Sequence, residues 1–133
     1  MWLTTLEGFI SIVQDRDDAD LMQVRARVAD DIAKHFPTAD VLTMPGADYL
    51  YRARVPRTEV AAKIADMIMT ASYTSHFKDE ALAHSAPSPQ RLSAYYSTWG
   101  AMAQMQPYAP YSTVPRDSEP GWYEWEGDSD GRW

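Results

Sequence analysis

The sequence predicts an α+β fold: a mostly antiparallel sheet of four or five strands, with helices packed on one face and two more helices after the sheet. A repeated five-residue motif predicts two of the strands: residues 24–28 are Val-Arg-Ala-Arg-Val and residues 51–55 are Tyr-Arg-Ala-Arg-Val. Apolar and basic residues alternate in both copies, which is the period of a strand with one buried face. A helical pattern follows each copy, so the chain contains two strand-helix units.

A hairpin is predicted before the first copy of the repeat. Residues 1–5 and 9–14 read as its strands, with Leu6-Glu7-Gly8 as the turn, where glycine would supply unusual backbone angles. Both faces of residues 9–14 are apolar, so this strand should be central in the sheet. Residues 15–20 hold four carboxylates, which suggests calcium, but the EF-hand spacing is not met. A polar hairpin loop is therefore expected there.

The first repeat strand is predicted over residues 21–27 and the second over residues 48–55. After the first strand, Val28, Ile32 and either His35 or Phe36 recur at helical spacing, and Pro37 ends the helix. Residues 41–44 should form a short strand, joined to the second repeat strand through a Pro-Gly turn.

A second amphipathic helix is predicted after the second repeat strand. Pro56 should end strand pairing because it lacks an N–H donor, and Thr58 should cap the helix. The apolar face of this helix is predicted to consist of Val60, Ile64, Met67, Ile68 and Ala71.

Two more helices are predicted, followed by a tail. The first covers about residues 76–84, and the second begins with Ser88 as N-cap and Pro89 at the first position, and runs to about Gln106. Repeated prolines after that point disfavour regular structure. We therefore predict one α+β domain over residues 1–106 and a proline-rich, acidic, aromatic tail over residues 107–133.

Composition excludes several classes of protein. The 133 residues include no cysteine, so there is no disulfide, thiolate metal site or thiol nucleophile. The apolar runs fall short of the ~20 residues of a membrane span, and no secretion leader is recognisable. A cytoplasmic protein without membrane contact is expected. The net charge of −7 disfavours non-specific binding to nucleic acid.

The candidate ligand-binding residues are the repeat arginines and one tyrosine. If the two repeat strands are neighbours, all four arginines share the sheet face opposite the helices, and Tyr49 is expected on the same face. Clustered guanidinium groups need neutralisation by the chain's own acids, by a second subunit, or by an anionic ligand such as RNA, DNA or a nucleotide. The predicted set is Arg25, Arg27, Tyr49, Arg52 and Arg54.

Catalytic and metal-binding patterns are weak. His76, Glu80 and His84 lie at i, i+4 and i+8, a span that is long for one ion, so an exposed polar helix face is expected instead. The chain has no nucleophile elbow and no glycine-rich phosphate loop. We therefore predict no catalytic residue, no metal, no cofactor and no enzymatic activity.

The tail contains a candidate partner-binding segment. Trp122, Tyr123 and Trp125 are interspersed with acids, and aromatic side chains anchor many protein interfaces. The tail has a net charge of −4, so a second hypothesis is that it covers or competes for the arginines through ion pairs and cation–π contacts.

Several motifs together resemble a group of small bacterial and phage proteins that have no assigned activity. The shared features are an early tryptophan, a Gly-Phe-x-Ser-x-Val strand, Arg-Ala-Arg and Asp-Tyr-x-Tyr-Arg strands, a Tyr-to-Phe-Lys stretch and a closing aromatic helix. They correspond here to Trp2, residues 8–13, 25–27, 48–52 and 73–78, and Tyr95 to Trp99. The Tyr-to-Phe spacing is one residue longer in this chain. The resemblance covers residues 1–105 and implies a single domain without implying a mechanism.

The function predicted first is a non-catalytic binding or assembly module that acts through protein–protein contacts, either with a protein partner or by self-association. The alternative is nucleic-acid or nucleotide binding on the arginine-lined sheet face.

Overall fold

The computed structural model describes residues 1–73, 77–78, 80–81 and 88–107. These residues form a five-stranded antiparallel sheet and three helices, which confirms the predicted α+β fold. The strands are Trp2–Thr4 (β1), Phe9–Gln14 (β2), Leu21–Ala26 (β3), Leu42–Thr43 (β4) and Tyr51–Pro56 (β5). The helices are Ala29–His35 (α1), Arg57–Met69 (α2) and Pro89–Ala103 (α3), and residues 77–78 and 80–81 also have helical backbone.

The chain divides into two compact units, Met1–Ala86 and Pro87–Trp133. The sheet, α1 and α2 belong to the first unit, and α3 belongs to the second. The division predicted after residue 106 stays a prediction, because residues 108–133 lie outside the described part of the chain.

The strand order makes the two repeat strands neighbours. The sheet runs β1-β2-β3-β5-β4, and every adjacent pair is antiparallel. Arg25 on β3 is directly opposite Arg52 on β5, and Gln23 is opposite Arg54. Adjacency of the two repeat strands was the condition for a shared arginine surface, and the pairing register meets it.

One apolar core lies between the sheet and the first two helices. Alternate residues of the three central strands point into it, together with residues of both helices, so α1 and α2 pack on the same face. Both His35 and Phe36 are buried, although the spacing suggested one or the other. The buried core consists of Ile10, Ile12, Val24, Ala26, Ile32, Phe36, Ala53, Val55 and Val60.

A buried polar cluster joins the β1–β2 turn to α1. Thr5 Oγ1 accepts the backbone N–H of Gly8 at 3.0 Å and lies 2.9 Å from His35 Nε2. His35 Nδ1 lies 2.6 Å from the backbone carbonyl oxygen of Asp31, whose carboxylate accepts the N–H of Phe9 at 3.1 Å. Buried polar groups need such partners. Side-chain hydrogen bonds thus hold the turn. The prediction of unusual backbone angles at Gly8 was wrong, because among the described glycines the positive φ occurs at Gly46, at 82°.

The start of α2 differs from the prediction. Pro56 still pairs with Leu21 in the sheet and is itself the N-cap, so the predicted cap at Thr58 was wrong. The N–H of Arg57 donates to the carbonyl of Asp20 at 2.8 Å. That bond satisfies one of the unpaired donors of a helix start, so a capping side chain is not needed for it.

The apolar face of α2 is shorter than predicted. Val60 is in the core and Ile64 packs against it, but Ile68 is 72 % exposed and Ala71 lies beyond the end of the helix. The reason is that, among the described residues, the core cluster extends along α2 only as far as Ile64.

The start of α3 agrees with its prediction. Ser88 is the N-cap, its Oγ accepts the N–H of Arg91 at 3.2 Å, and Pro89 occupies the first turn. The helix ends at Ala103, three residues before the predicted Gln106, and turn-type hydrogen bonds follow.

Candidate functional site

The predicted ligand-binding residues lie together on one side of the sheet. Arg25 and Arg52 face each other across β3 and β5, and Arg54 is two residues further along β5. Arg27 follows the end of β3, and its guanidinium reaches the same aromatic ring as that of Arg25. We call this set of five residues, which includes Tyr49, the arginine face.

Tyr49 reaches the arginine face by a different route from the one expected. The second repeat strand begins at Tyr51, not at Asp48, and residues 48–50 form a bend. Alternation counted back from Arg52 would place residue 49 on the opposite face. The bend breaks that alternation, and the Tyr49 ring is buried beside Arg25 and Arg27.

Two arginines of this face are neutralised by acids of the chain. Arg54 forms two hydrogen bonds with the carboxylate of Asp15, at 2.9 Å and 2.5 Å. Arg52 binds the carboxylate of Asp48 at 2.9 Å, and its Nε donates to the backbone carbonyl of Tyr49 at 3.3 Å. Internal ion pairs, the first of the three expected neutralising partners, therefore account for half of the arginines.

Arg25 and Arg27 are bound differently. Their guanidinium carbons lie 4.6 Å and 4.3 Å from the centroid of the Tyr49 ring, a distance at which cation–π attraction operates. Arg25 also donates to Ser11 Oγ at 2.8 Å, while its buried Nε has no hydrogen-bond acceptor among the residues that the structure describes. Among the described residues, no carboxylate forms an ion pair with either arginine.

The acidic loop between β2 and β3 supplies the carboxylate that binds Arg54. The buried Asp15 carboxylate also accepts the backbone N–H groups of Asp17 at 3.0 Å and Asp18 at 3.2 Å, as in a polar turn. The hydrogen bond from Arg54 holds the pKa of the Asp15 carboxyl below its usual value of 3.8, and the Asp17 N–H acts in the same direction. Asp15 correspondingly raises the pKa of Arg54.

This ion pair predicts a specific loss of stability in acid. Because the pKa of Asp15 is lowered by folding, the folded chain binds fewer protons than the unfolded chain near that pKa. Its stabilising contribution is complete above about pH 5 and is lost as the pH falls through the folded-state pKa. In urea unfolding, the free energy of unfolding of wild type should exceed that of Asp15→Asn by a constant amount above about pH 5. Below about pH 4 this excess should shrink.

The matched control for this prediction is Asp17→Asn. Asp17 is 77 % exposed and lies 4.0 Å from Arg54. The free energy of unfolding of Asp17→Asn should therefore stay close to that of wild type throughout the pH series. A difference between wild type and Asp15→Asn that stays constant down to about pH 2 would contradict the prediction.

Two aromatic residues that were not among the predicted site residues, Trp2 and Phe9, extend the site. Trp2 on β1 is opposite Ser11, which is in turn opposite Arg25, so Trp2 lies on the same sheet face as the arginines. Trp2 is 70 % exposed, and its ring meets Phe9 edge to face with centroids 5.9 Å apart. The alternation of Phe9, Ser11 and Val13 was a signal for this face, but the register that joins it to Arg25 is a tertiary feature.

Other predicted sites lie wholly or partly outside the described residues. These are the partner-binding segment with Trp122, Tyr123 and Trp125, and the His76 and His84 positions of the candidate metal pattern. Within the described part, no group of three metal-ligating side chains is present. The helices described there include none with the length and apolarity needed to cross a membrane.

Comparison of the chain with protein-family models, curated proteins and solved structures finds no match.

Proposed function

We propose that the protein is a non-catalytic binding module that acts through protein–protein contacts, and that it binds an acidic segment of its partner on the arginine face and the adjoining Trp2. The observation that carries the proposal is that one sheet face combines an exposed tryptophan with two arginines, Arg25 and Arg27, that have no acidic partner among the described residues. The proposal keeps the cytoplasmic location that the composition predicts.

The residue types support a protein partner. Tryptophan, tyrosine and arginine are the side chains that most often contribute the largest share of binding energy at protein interfaces. Trp2 combines a large exposed ring with a short edge strand, so a partner can cover it without displacing part of the fold. Phe9 supports the ring from one side, which limits the conformational entropy that binding would cost.

The charge distribution supports a short acidic segment over a long polyanion. Asp48 is 64 % exposed beside Arg52, and Asp17 is 77 % exposed beside Arg54. A nucleic-acid backbone that followed the arginines would approach both carboxylates, and the net charge of −7 would oppose it at longer range. A segment with one or two acids can reach Arg25 and Arg27 alone.

Nucleic-acid or nucleotide binding is the second candidate, and one observation favours it. An exposed ring such as Trp2 on a sheet face beside arginines is a suitable platform for a stacked base. The same experiment separates the two candidates.

Fluorescence anisotropy with the full chain tests the proposal. The probe is a fluorescein-labelled decapeptide that alternates glutamate and tryptophan, and the comparison probes are its glutamine version and a labelled single-stranded 12-nucleotide DNA and RNA. We expect the glutamate peptide to bind, and Trp2→Ala to weaken it by about 30-fold, which corresponds to about 2 kcal/mol. The control Trp99→Ala removes another exposed tryptophan and should change affinity less than about twofold.

Equal binding of the glutamate and glutamine peptides would overturn the role of the arginines. Oligonucleotide binding that is tighter than peptide binding and weakens steeply with salt would favour the second candidate instead.

A further inference from the structure

Two cations of the arginine face share one aromatic ring, and in the described part of the chain no carboxylate pairs with either of them. Arg25 and Arg27 both lie over Tyr49, while Arg52 and Arg54 each have a carboxylate partner. Attraction to a ring face offsets only part of the repulsion between like charges, since a cation–π contact at a partly exposed site is weak and leaves the net charge unchanged. The pair thus carries about two positive charges that the described residues leave uncompensated.

The two side chains differ in how firmly they are held. Arg25 is half-buried and fixed by Ser11 Oγ at 2.8 Å and by the Tyr49 ring. Arg27 is exposed, and its guanidinium is held by the same ring. One guanidinium is therefore preorganised and the other can adjust around a ligand, which lowers the ordering cost of binding.

The buried Nε of Arg25 is a second, independent observation. Within the described part of the chain it has no hydrogen-bond acceptor, and an unsatisfied buried donor destabilises the folded state. Stability alone does not explain why a half-buried arginine with an unpaired, buried Nε donor is present at this position. An anion bound to its outer N–H groups would lower the cost of keeping this cation half-buried.

We infer that Arg25 and Arg27 bind a phosphoryl group carried by a side chain of the partner segment, an inference that rests on the proposed function. A phosphoryl group at neutral pH carries about two negative charges, so one group matches both guanidinium groups, whereas one carboxylate matches one. Its oxygens accept the parallel N–H pairs of two arginine forks, and such charge-assisted bonds are about twice as strong as neutral ones. Recognition of phosphorylated segments by arginine clusters is an established mode of peptide binding.

Peptide titrations with the full chain test this inference. The probes are the glutamine-tryptophan decapeptide with one central serine and the same peptide with phosphoserine, each labelled with fluorescein. We expect the phosphoserine peptide to bind at least about tenfold tighter than the serine peptide at pH 7.5. Arg27→Gln and Arg25→Lys should each weaken the affinity for the phosphoserine peptide by at least about tenfold. Lysine keeps the positive charge but lacks the paired N–H donors of a guanidinium group. Arg16→Gln, an exposed matched charge change in the β2–β3 loop, should change affinity less than about twofold.

A pH series distinguishes binding of a phosphoryl group from binding of a carboxylate. The second pKa of a phosphoryl group is about 6, so the advantage of the phosphoserine peptide should shrink between about pH 7.5 and pH 5.5. The glutamate peptide stays ionised over the same range and should bind almost equally well at both pH values.

The outcomes separate this inference from the proposed function. If the glutamate peptide binds but phosphorylation gives no gain, the phosphoryl site is overturned and the acidic-segment proposal stands. If neither peptide binds, both are overturned. If adenosine monophosphate competes better than the phosphoserine peptide, the phosphoryl group belongs to a nucleotide and the protein source is overturned. Arg27 is exposed, so its variant is expected to fold, and circular dichroism verifies this.

Discussion

Phe36→Ala is expected to lower the free energy of unfolding by about 3–5 kcal/mol, the cost of removing a fully buried aromatic side chain from a packed core. Phe36 is 1 % exposed and is the largest fully buried side chain among the described residues. It contacts the core at the end of α1, where its ring joins residues of β2, β3 and β5 in one cluster. The free energy of unfolding of a small domain is about 5–15 kcal/mol, so this variant should lose a large part of its stability.

Urea unfolding followed by circular dichroism measures this effect. Phe36→Leu conserves more of the volume and should cost clearly less than Phe36→Ala. Trp2→Ala removes an aromatic of larger size from a 70 % exposed position and should change stability by less than about 1 kcal/mol. If Phe36→Ala and Trp2→Ala had equal effects, the described core would be wrong.

Tyr49→Ala is expected to lower the free energy of unfolding by about 3–5 kcal/mol and also to abolish preferential binding of the phosphoserine peptide. The ring is 3 % exposed, so its removal leaves a cavity, and it also removes the face that holds Arg25 and Arg27. Without the ring, both guanidinium groups lose their common support and the preorganised site is lost.

Tyr49→Phe is the matched control for this prediction. It keeps the ring that the two arginines contact, so both stability and phosphopeptide binding should stay close to wild type. A double-mutant cycle isolates the contact itself: Tyr49→Ala should cost less in an Arg27→Gln background than in wild type. Strict additivity would mean that the ring stabilises the core without holding the arginine.

The local elements followed closely from the residues. The alternation in both repeats predicted β3 and β5, Ser88 with Pro89 predicted the start of α3, and the turn types predicted the hairpins. Each of these depends on neighbours within a few positions in the chain, which is the range over which strand alternation and helix capping act.

Element ends were predicted less well, because tertiary contacts determine them. α2 starts at Arg57 because the turn before β3 supplies a backbone acceptor at Asp20, which no local rule for Thr58 can include. β5 starts at Tyr51 because a bend precedes it, and that bend places Tyr49 against two arginines.

The sequence by itself determined the fold class, the alternation that puts four arginines opposite the core, and the excess of acid over base. The tertiary structure decided which arginines are neutralised. Asp15 is 39 residues from Arg54 in the chain, and Ser11 is 14 residues from Arg25, so both contacts depend on strand order and register. Alternation orients a side chain toward one face, but only the pairing of distant strands brings a carboxylate to one arginine and leaves another beside an aromatic ring.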